Sequence, residues 1–193
     1  MEEKLRAEAL KCTLEAALSS LEAGGAVLVY TFENGSSQNA YLFNRLWTDI
    51  AGDGTFAVDP GTVHVEVAGG GVLLSKKIMP VPENMRVEKR IVPCTTLVKP
   101  GARFQETVVL RLPLRPESPY STIEDKDLAK EPVRRKVWFE LAFFLSTPEG
   151  DELAETVKTT AGEAKYFDVF PHTSQKLLRV GPFSTELPIR LPK

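Results

Sequence analysis

The chain has 193 residues, 42% of them hydrophobic and 26% charged, and a formal net charge of −2. That length can bury a sizeable core, and the near-neutral balance excludes the broad basic field by which a protein holds nucleic acid or an anionic membrane. Two cysteines, two histidines and 14 prolines point away from disulfide-stapled or metal-built scaffolds and towards short elements joined by tight connections.

The opening Met1-Glu2-Glu3-Lys4 is acidic and lacks the apolar stretch of a cleaved signal, so a cytoplasmic protein is expected. No run of about 20 apolar residues occurs, so no membrane-spanning helix is expected. Leu10, Leu14, Leu18 and Leu21 fit a helical stripe. Residues 10–18 also alternate, with Leu10, Cys12, Leu14, Ala16 and Leu18 set against Lys11, Thr13, Glu15 and Ala17. Propensity favours the helix. A strand is preferred here, because residues 21–24 then form a turn into the next run.

Further strands are expected over residues 26–33, stopped by Asn34-Gly35, and over residues 40–44. Residues 63–68 set Val63, Val65 and Val67 against His64 and Glu66, which puts His64 on the polar side. Gly69-Gly70-Gly71 then turns the chain into Val72-Leu73-Leu74, a hairpin signal. Residues 103–112 carry Phe104, Val108, Leu110 and Leu112 on one side. Residues 117–135 form a polar insertion, expected at the surface as a loop with a short helical turn. Residues 137–145 are apolar on both faces and read as a central strand. A hairpin turn is expected around Pro148-Glu149-Gly150, and strands over residues 177–180 and 186–191 close the chain.

One phrase occurs twice. Leu21 precedes Gly24-Gly25 and a strand, and Leu97 precedes Pro100-Gly101 and another. In each, the leucine is expected to cap the core and the turn to begin a pair of strands, Pro100 presetting one dihedral and Gly101 permitting a positive one. The stretch SLEAGGAVLVYTFENGSSQNAYLF at residues 20–43 resembles the early strands of bacterial immunoglobulin-like domains, among them the intracellular proteinase inhibitor family. TLVKPGARFQETVVL at residues 96–110 is similar to a later strand of the same module. The resemblance implies an all-β, immunoglobulin-like antiparallel β-sandwich, with the polar insertion near residues 117–135 as a departure from it. Residues 1–193 read as one such domain. The resemblance also suggests proteinase inhibition, although no inhibitory loop matches residue by residue.

The chemistry-bearing residues do not assemble into a known motif. Cys12 and Cys94 read as buried free thiols. His64 and His172 read as surface or turn histidines, because a zinc or copper site wants several ligands at close spacing. Asp49, Asp53 and Asp59 lack the EF-hand register and its closing glutamate. The glycines at 69–71 precede Lys76-Lys77 without the phosphate-loop pattern. Asn34-Gly35-Ser36 matches a glycosylation sequon but reads better as a turn.

These features lead to a binding or adaptor module without a cofactor, whose partner is another protein rather than a nucleic acid or a membrane. Tyr120 in the insertion, Arg134 and Arg135 at a basic strand entrance, and Trp47 beside Arg45 are the candidate contact residues. Tyr41 and Phe43, close to Trp47, favour the core. The alternative is a small-molecule-binding or hydrolytic enzyme on a β scaffold, which should show a deep pocket with convergent polar groups. A purely structural subunit should show a large exposed apolar face.

Overall fold

Alternation, not helical periodicity, governs the N-terminal segment. The protein, known from a computed structural model, is described over residues 4–21 and 24–193. Strands β1 (Leu5–Ala9) and β2 (Cys12–Leu21) form a hairpin. Leu10 and Lys11 make its turn with φ of 52° and 64°, the hand that suits strand twist. The expected strand is therefore two strands, and Leu10 stands exposed at a turn rather than in a stripe. The reason lies in β3 (Gly25–Asn34), which pairs β2 along its whole length from Cys12↔Asn34 to Leu21↔Gly25. That ladder outweighs the helix preference of the segment. Residues 22 and 23, the middle of the expected turn, lie outside the described residues.

After Asn34 the chain leaves this sheet. It forms β4 (Asn39–Arg45), β5 (Trp47–Ile50), β6 (Phe56–Val58), β7 (His64–Ala68), β8 (Gly71–Lys76) and β9 (Cys94–Val98). It returns as β10 (Arg103–Arg111), which lies beside β3. Then follow β11 (Glu117–Ser118), β12 (Ser121–Thr122), β13 (Val133–Arg135) and β14 (Val137–Ser146). A single helical turn, α1 (Pro148–Glu152), leads to β15 (Glu155–Thr159), β16 (Gly162–Tyr166), β17 (Lys176–Val180) and β18 (Leu187–Ile189).

The fold is all-β. One sheet has the order β1-β2-β3-β10, and the large sheet runs β12-β11-β7-β8-β14-β4-β9-β16-β15-β6-β5 with β17 added at β14. The large sheet is mixed, because β8 pairs β14 in parallel and β6 pairs β15 in parallel. The main core fills the space between the two sheets. Leu14, Leu28, Tyr30, Phe32 and Val108 come from one side, and Leu42, Val65, Leu74, Phe139, Leu141 and Phe143 from the other. A second core, with Phe43, Phe56, Ile78, Val92, Cys94, Ala142 and Tyr166, covers the other face of the large sheet. That is why β14 is apolar on both faces.

The two copies of the repeated phrase do different work. The first joins paired strands β2 and β3. The second does not: β9 belongs to the large sheet and β10 to the small one, so the Pro100-Gly101 turn is a crossing between layers. The crossings β3→β4 and β9→β10 are bonded to each other. Gly101, at φ 74°, donates its N–H to the Asn34 carbonyl at 2.7 Å, and the Asn34 N–H reaches the Ala102 carbonyl at 3.0 Å. Neither leucine caps the core, since Leu21 is exposed and Leu97 half-buried. The Asn34 side chain is wholly buried. Its amide donates to Gln38 O and Val98 O, and its oxygen accepts from Ser36 and from the Cys12 thiol.

Two further expectations change. Residues 146–151 are no hairpin turn, because Thr147 caps α1 through its hydroxyl and β14 and β15 do not pair. Residues 117–135 are ordered beyond a loop. β11 and β12 form a small hairpin against β7, Asp125–Asp127 make the short helical turn, and β13 pairs β18. The hairpin at Gly69-Gly70 is as expected, with φ of 57° and 79° at its two tip residues.

Candidate functional site

A strand has two edges, and β14 has three partners. β17 pairs residues 139–143, β8 pairs residues 137–141, and β4 pairs residues 143–146. β17 overlaps both of the others, so β8 and β4 share the opposite edge and meet near Leu141–Phe143. β8 runs parallel to β14 and β4 runs antiparallel, so both arrive at this junction with their C-terminal ends and must part there. Main-chain groups at such a splay lose ladder partners and need others.

Lys76, the last residue of β8, supplies them. It is fully buried, on the core side with Val72 and Leu74. Its Nζ donates to Asn44 O at 3.2 Å and Pro60 O at 2.8 Å, and meets Glu106 Oε2 at 2.7 Å. Glu106 comes from the opposing sheet, at a core-facing position of β10 between Phe104 and Val108, and its carboxylate also accepts from the Tyr30 hydroxyl at 2.5 Å. Burial lowers the Lys76 ammonium below its ordinary value, and the Glu106 carboxylate opposes this. Burial, then Glu106, pushes the Tyr30 phenol well above its usual range. Asn44 is wholly buried at the same junction, and neither its side-chain oxygen nor its nitrogen has a partner.

Beside this junction each sheet presents an edge. β10 is the outer strand of its sheet, with β3 as its one ladder partner among the described residues. β7 is engaged on its outer side by β11 at the single pair Val65↔Glu117. A groove of ≈ 670 Å³ lies between the two edges. Val63, Val65, Leu110 and Leu114 line it as apolar groups, and Asp59, Arg111, Arg115 and Glu117 line it as charges of both signs. Val109 of β10 is 59% exposed there.

A charged row crosses the other face of the large sheet. Glu140 of β14 is nearly buried and holds Lys77 at 2.9 Å and Arg179 at 2.7 Å, while Lys77 also meets Glu66 at 2.8 Å. His64 stands in this row, opposite Ser75. It is buried, not on a solvated polar side, and it shares the lining of a small cavity with Leu46, Trp47, Met79 and Ile91. Burial, then the Lys77 ammonium, lowers its pKa to about 4. The folded state therefore resists a proton that the unfolded chain accepts at ordinary histidine pKa. Stability from this group is fully present above about pH 6.5 and is lost as pH falls towards 4, about 3 kcal/mol in all. Urea unfolding of the wild type and of His64→Phe between pH 4 and 7 checks this, with the variant expected to lose that part of the slope. His172 begins a short 3-10 turn at His172–Ser174. Both thiols are free and buried, and burial pushes Cys12 up to about 11 and Cys94 to about 12.

The four contact residues expected from sequence do not converge. Trp47 is half-buried, its ring edge-on to Phe56 and its indole N–H donating to Val92 O at 2.7 Å. Tyr120 is half-buried rather than exposed, and its hydroxyl accepts from the Ile91 N–H at 2.9 Å. Both thus hold the 78–93 segment. Arg134 and Arg135 lie on β13, where Arg134 reaches Glu186 O at 2.5 Å and Arg135 reaches Arg134 O at 3.1 Å. The junction residues were missed, although alternation marks them: Glu106 shares parity with Phe104 and Val108, Lys76 with Val72 and Leu74, and Asn44 with Ala40 and Leu42. No family model matches the chain, and no curated protein or solved structure does.

Proposed function

We propose that the chain is a non-enzymatic protein-binding module that receives an extended segment of another protein along β10. The observation that carries this reading is the free edge of a nine-residue strand bordering a groove with an apolar lining and a two-signed rim. Main-chain hydrogen bonds to such an edge supply affinity, and pockets for alternate side chains supply specificity. A segment with apolar groups at every other position fits, its apolar side towards Val65, Leu110 and Leu114 and its polar side among Asp59, Arg111 and Glu117. The immunoglobulin-like sandwich is the finer form of this scaffold. The two packed sheets and the twin crossings at Asn34 and Gly101 support it, and the parallel β8–β14 pair is a departure from it.

Selection of a displayed library of linear peptides on the immobilised chain tests the reading. Selected peptides should alternate apolar and polar residues and should shift the amide signals of β10 and β7. Val109→Lys should weaken them about tenfold or more, by placing a charge against the incoming strand. Peptides that shift other strands instead, or no selection above background, would refute the proposal.

A further inference from the structure

We infer that the cleft between β9 and β16 is a binding site for a small tetrahedral oxyanion of the phosphate class, with Arg45 and Lys165 as its cationic ligands. The cleft follows from the pairing. β9 pairs β4 between Cys94 and Val98, and β16 pairs β15 from Gly162 to Tyr166. β9 and β16 themselves pair at one position, Lys165↔Thr95. A cavity of ≈ 290 Å³ lies between them, with Arg45, Thr96, Thr156, Glu163 and Lys165 in its lining. It shares no lining residue with the groove along β10, so the inference stands apart from the peptide reading.

The lining is rich in donors. Arg45, half-buried at the end of β4, donates from Nε to Thr96 Oγ1 at 3.2 Å and from Nη1 to Ala161 O at 3.2 Å. Among the described residues no carboxylate pairs with it, whereas Lys76, Lys77, Arg179 and Arg190 each meet one. Its Nη2 has no protein acceptor among those residues. Lys165 Nζ donates to Thr156 Oγ1 at 2.8 Å and likewise lacks a carboxylate partner there. Each of the two threonine hydroxyls is thus already an acceptor, which leaves its own proton to donate.

Two cations against one carboxylate, Glu163, leave the lining net positive. Hydrogen bonds from a guanidinium or an ammonium to an anion are the strong ones, and the arginine fork matches an edge of a phosphate. The four donors stand on four strands, β4, β9, β15 and β16, so they approach from several directions. A tetrahedral ion presents oxygens in several directions, and a flat carboxylate does not. The volume is at the low end for small-molecule sites, and no aromatic side chain lines the cavity to stack on a base. The ligand class is therefore inorganic phosphate or a compact phosphomonoester, free or carried on a protein side chain, rather than a nucleotide.

Titration of the folded chain with inorganic phosphate at constant ionic strength, followed by amide and arginine Nε–H NMR signals, tests this. Signals of residues 94–97 and 162–166 and of the Arg45 side chain should shift together and saturate. Arg45→Gln should weaken binding about tenfold or more, because it removes a hydrogen bond to a charged group. Glu163→Gln should tighten it about threefold, by removing the one opposing charge. Arg103→Gln, at a residue that pairs with Glu33 on the surface, should leave it unchanged. A phosphoserine peptide that binds about tenfold tighter than phosphate supports the site with a protein side chain as its source, and equal affinity supports it with a free ion. Shifts that rise without saturation, that scatter over the surface, or that acetate reproduces at the same concentration would overturn the inference. The wild-type titration and Glu163→Gln decide by themselves if Arg45→Gln fails to fold.

Discussion

Replacing Asn34 by alanine should cost about 3–5 kcal/mol, among the largest losses available to a single polar substitution in this chain. The side chain has no exposed surface and ties three segments at the end of β3. Its amide holds Gln38 O at 2.8 Å and Val98 O at 2.9 Å, and its oxygen holds the Ser36 N–H and hydroxyl and faces the Cys12 thiol. Truncation would leave the Val98 carbonyl buried without a donor, at the place where both crossings between the sheets are stitched together. Asn34→Asp should not rescue it, because the amide donors vanish and a charge is left buried. Ser36→Ala should cost about 1 kcal/mol, since it removes one donor to the Asn34 side-chain oxygen in a part-buried bond. Urea unfolding at constant slope measures all three. A loss below about 1 kcal/mol for Asn34→Ala would mean that the crossings hold without it.

The second large effect belongs to Phe139. It is fully buried in the layer between the sheets, 4.9 Å from the Tyr30 ring. Phe139→Ala should destabilise by about 3–5 kcal/mol, through lost transfer energy and the cavity left in a layer fixed on both sides by β ladders. Phe144 is the informative comparison. It lies on the opposite face of β14, half-buried, stacked on Tyr41 at 5.1 Å and tilted against Phe170 at 4.6 Å. Being partly wet already, Phe144→Ala should cost less, about 2 kcal/mol. Equal losses in urea unfolding would show that the second core carries as much weight as the first.

What could be read from the sequence follows from the range of the interactions. The β7–β8 hairpin is legible because its cause is local: two glycines at φ 57° and 79° between runs of matching period. β14 is legible because burial on both faces leaves an apolar run that only Glu140 interrupts before Ser146. Register with distant strands is not local, so nothing near residue 100 says that the Pro100-Gly101 turn leads into another sheet. The same applies to His64. Its polar neighbour Glu66 suggests a solvated face, but the cover over that face comes from residues 78–93, far along the chain. The polar junction was half legible. A glutamate at a core-facing place in β10 is a visible breach of alternation, and its lysine partner breaks the parity of β8 in the same way, but only the fold shows that the two breaches meet.

The three-way pairing of β14 also bears on how the molecule comes into being. β4 and β8 leave the ribosome well before the strand that holds them side by side, and β17 follows later still. For that interval the nascent chain carries unsatisfied strand edges, which invite pairing with neighbouring chains. Arrival of residues 137–146 should therefore act as a latch that commits the whole large sheet at once, and chains stopped short of it should aggregate or be held by chaperones rather than accumulate as a folded N-terminal half.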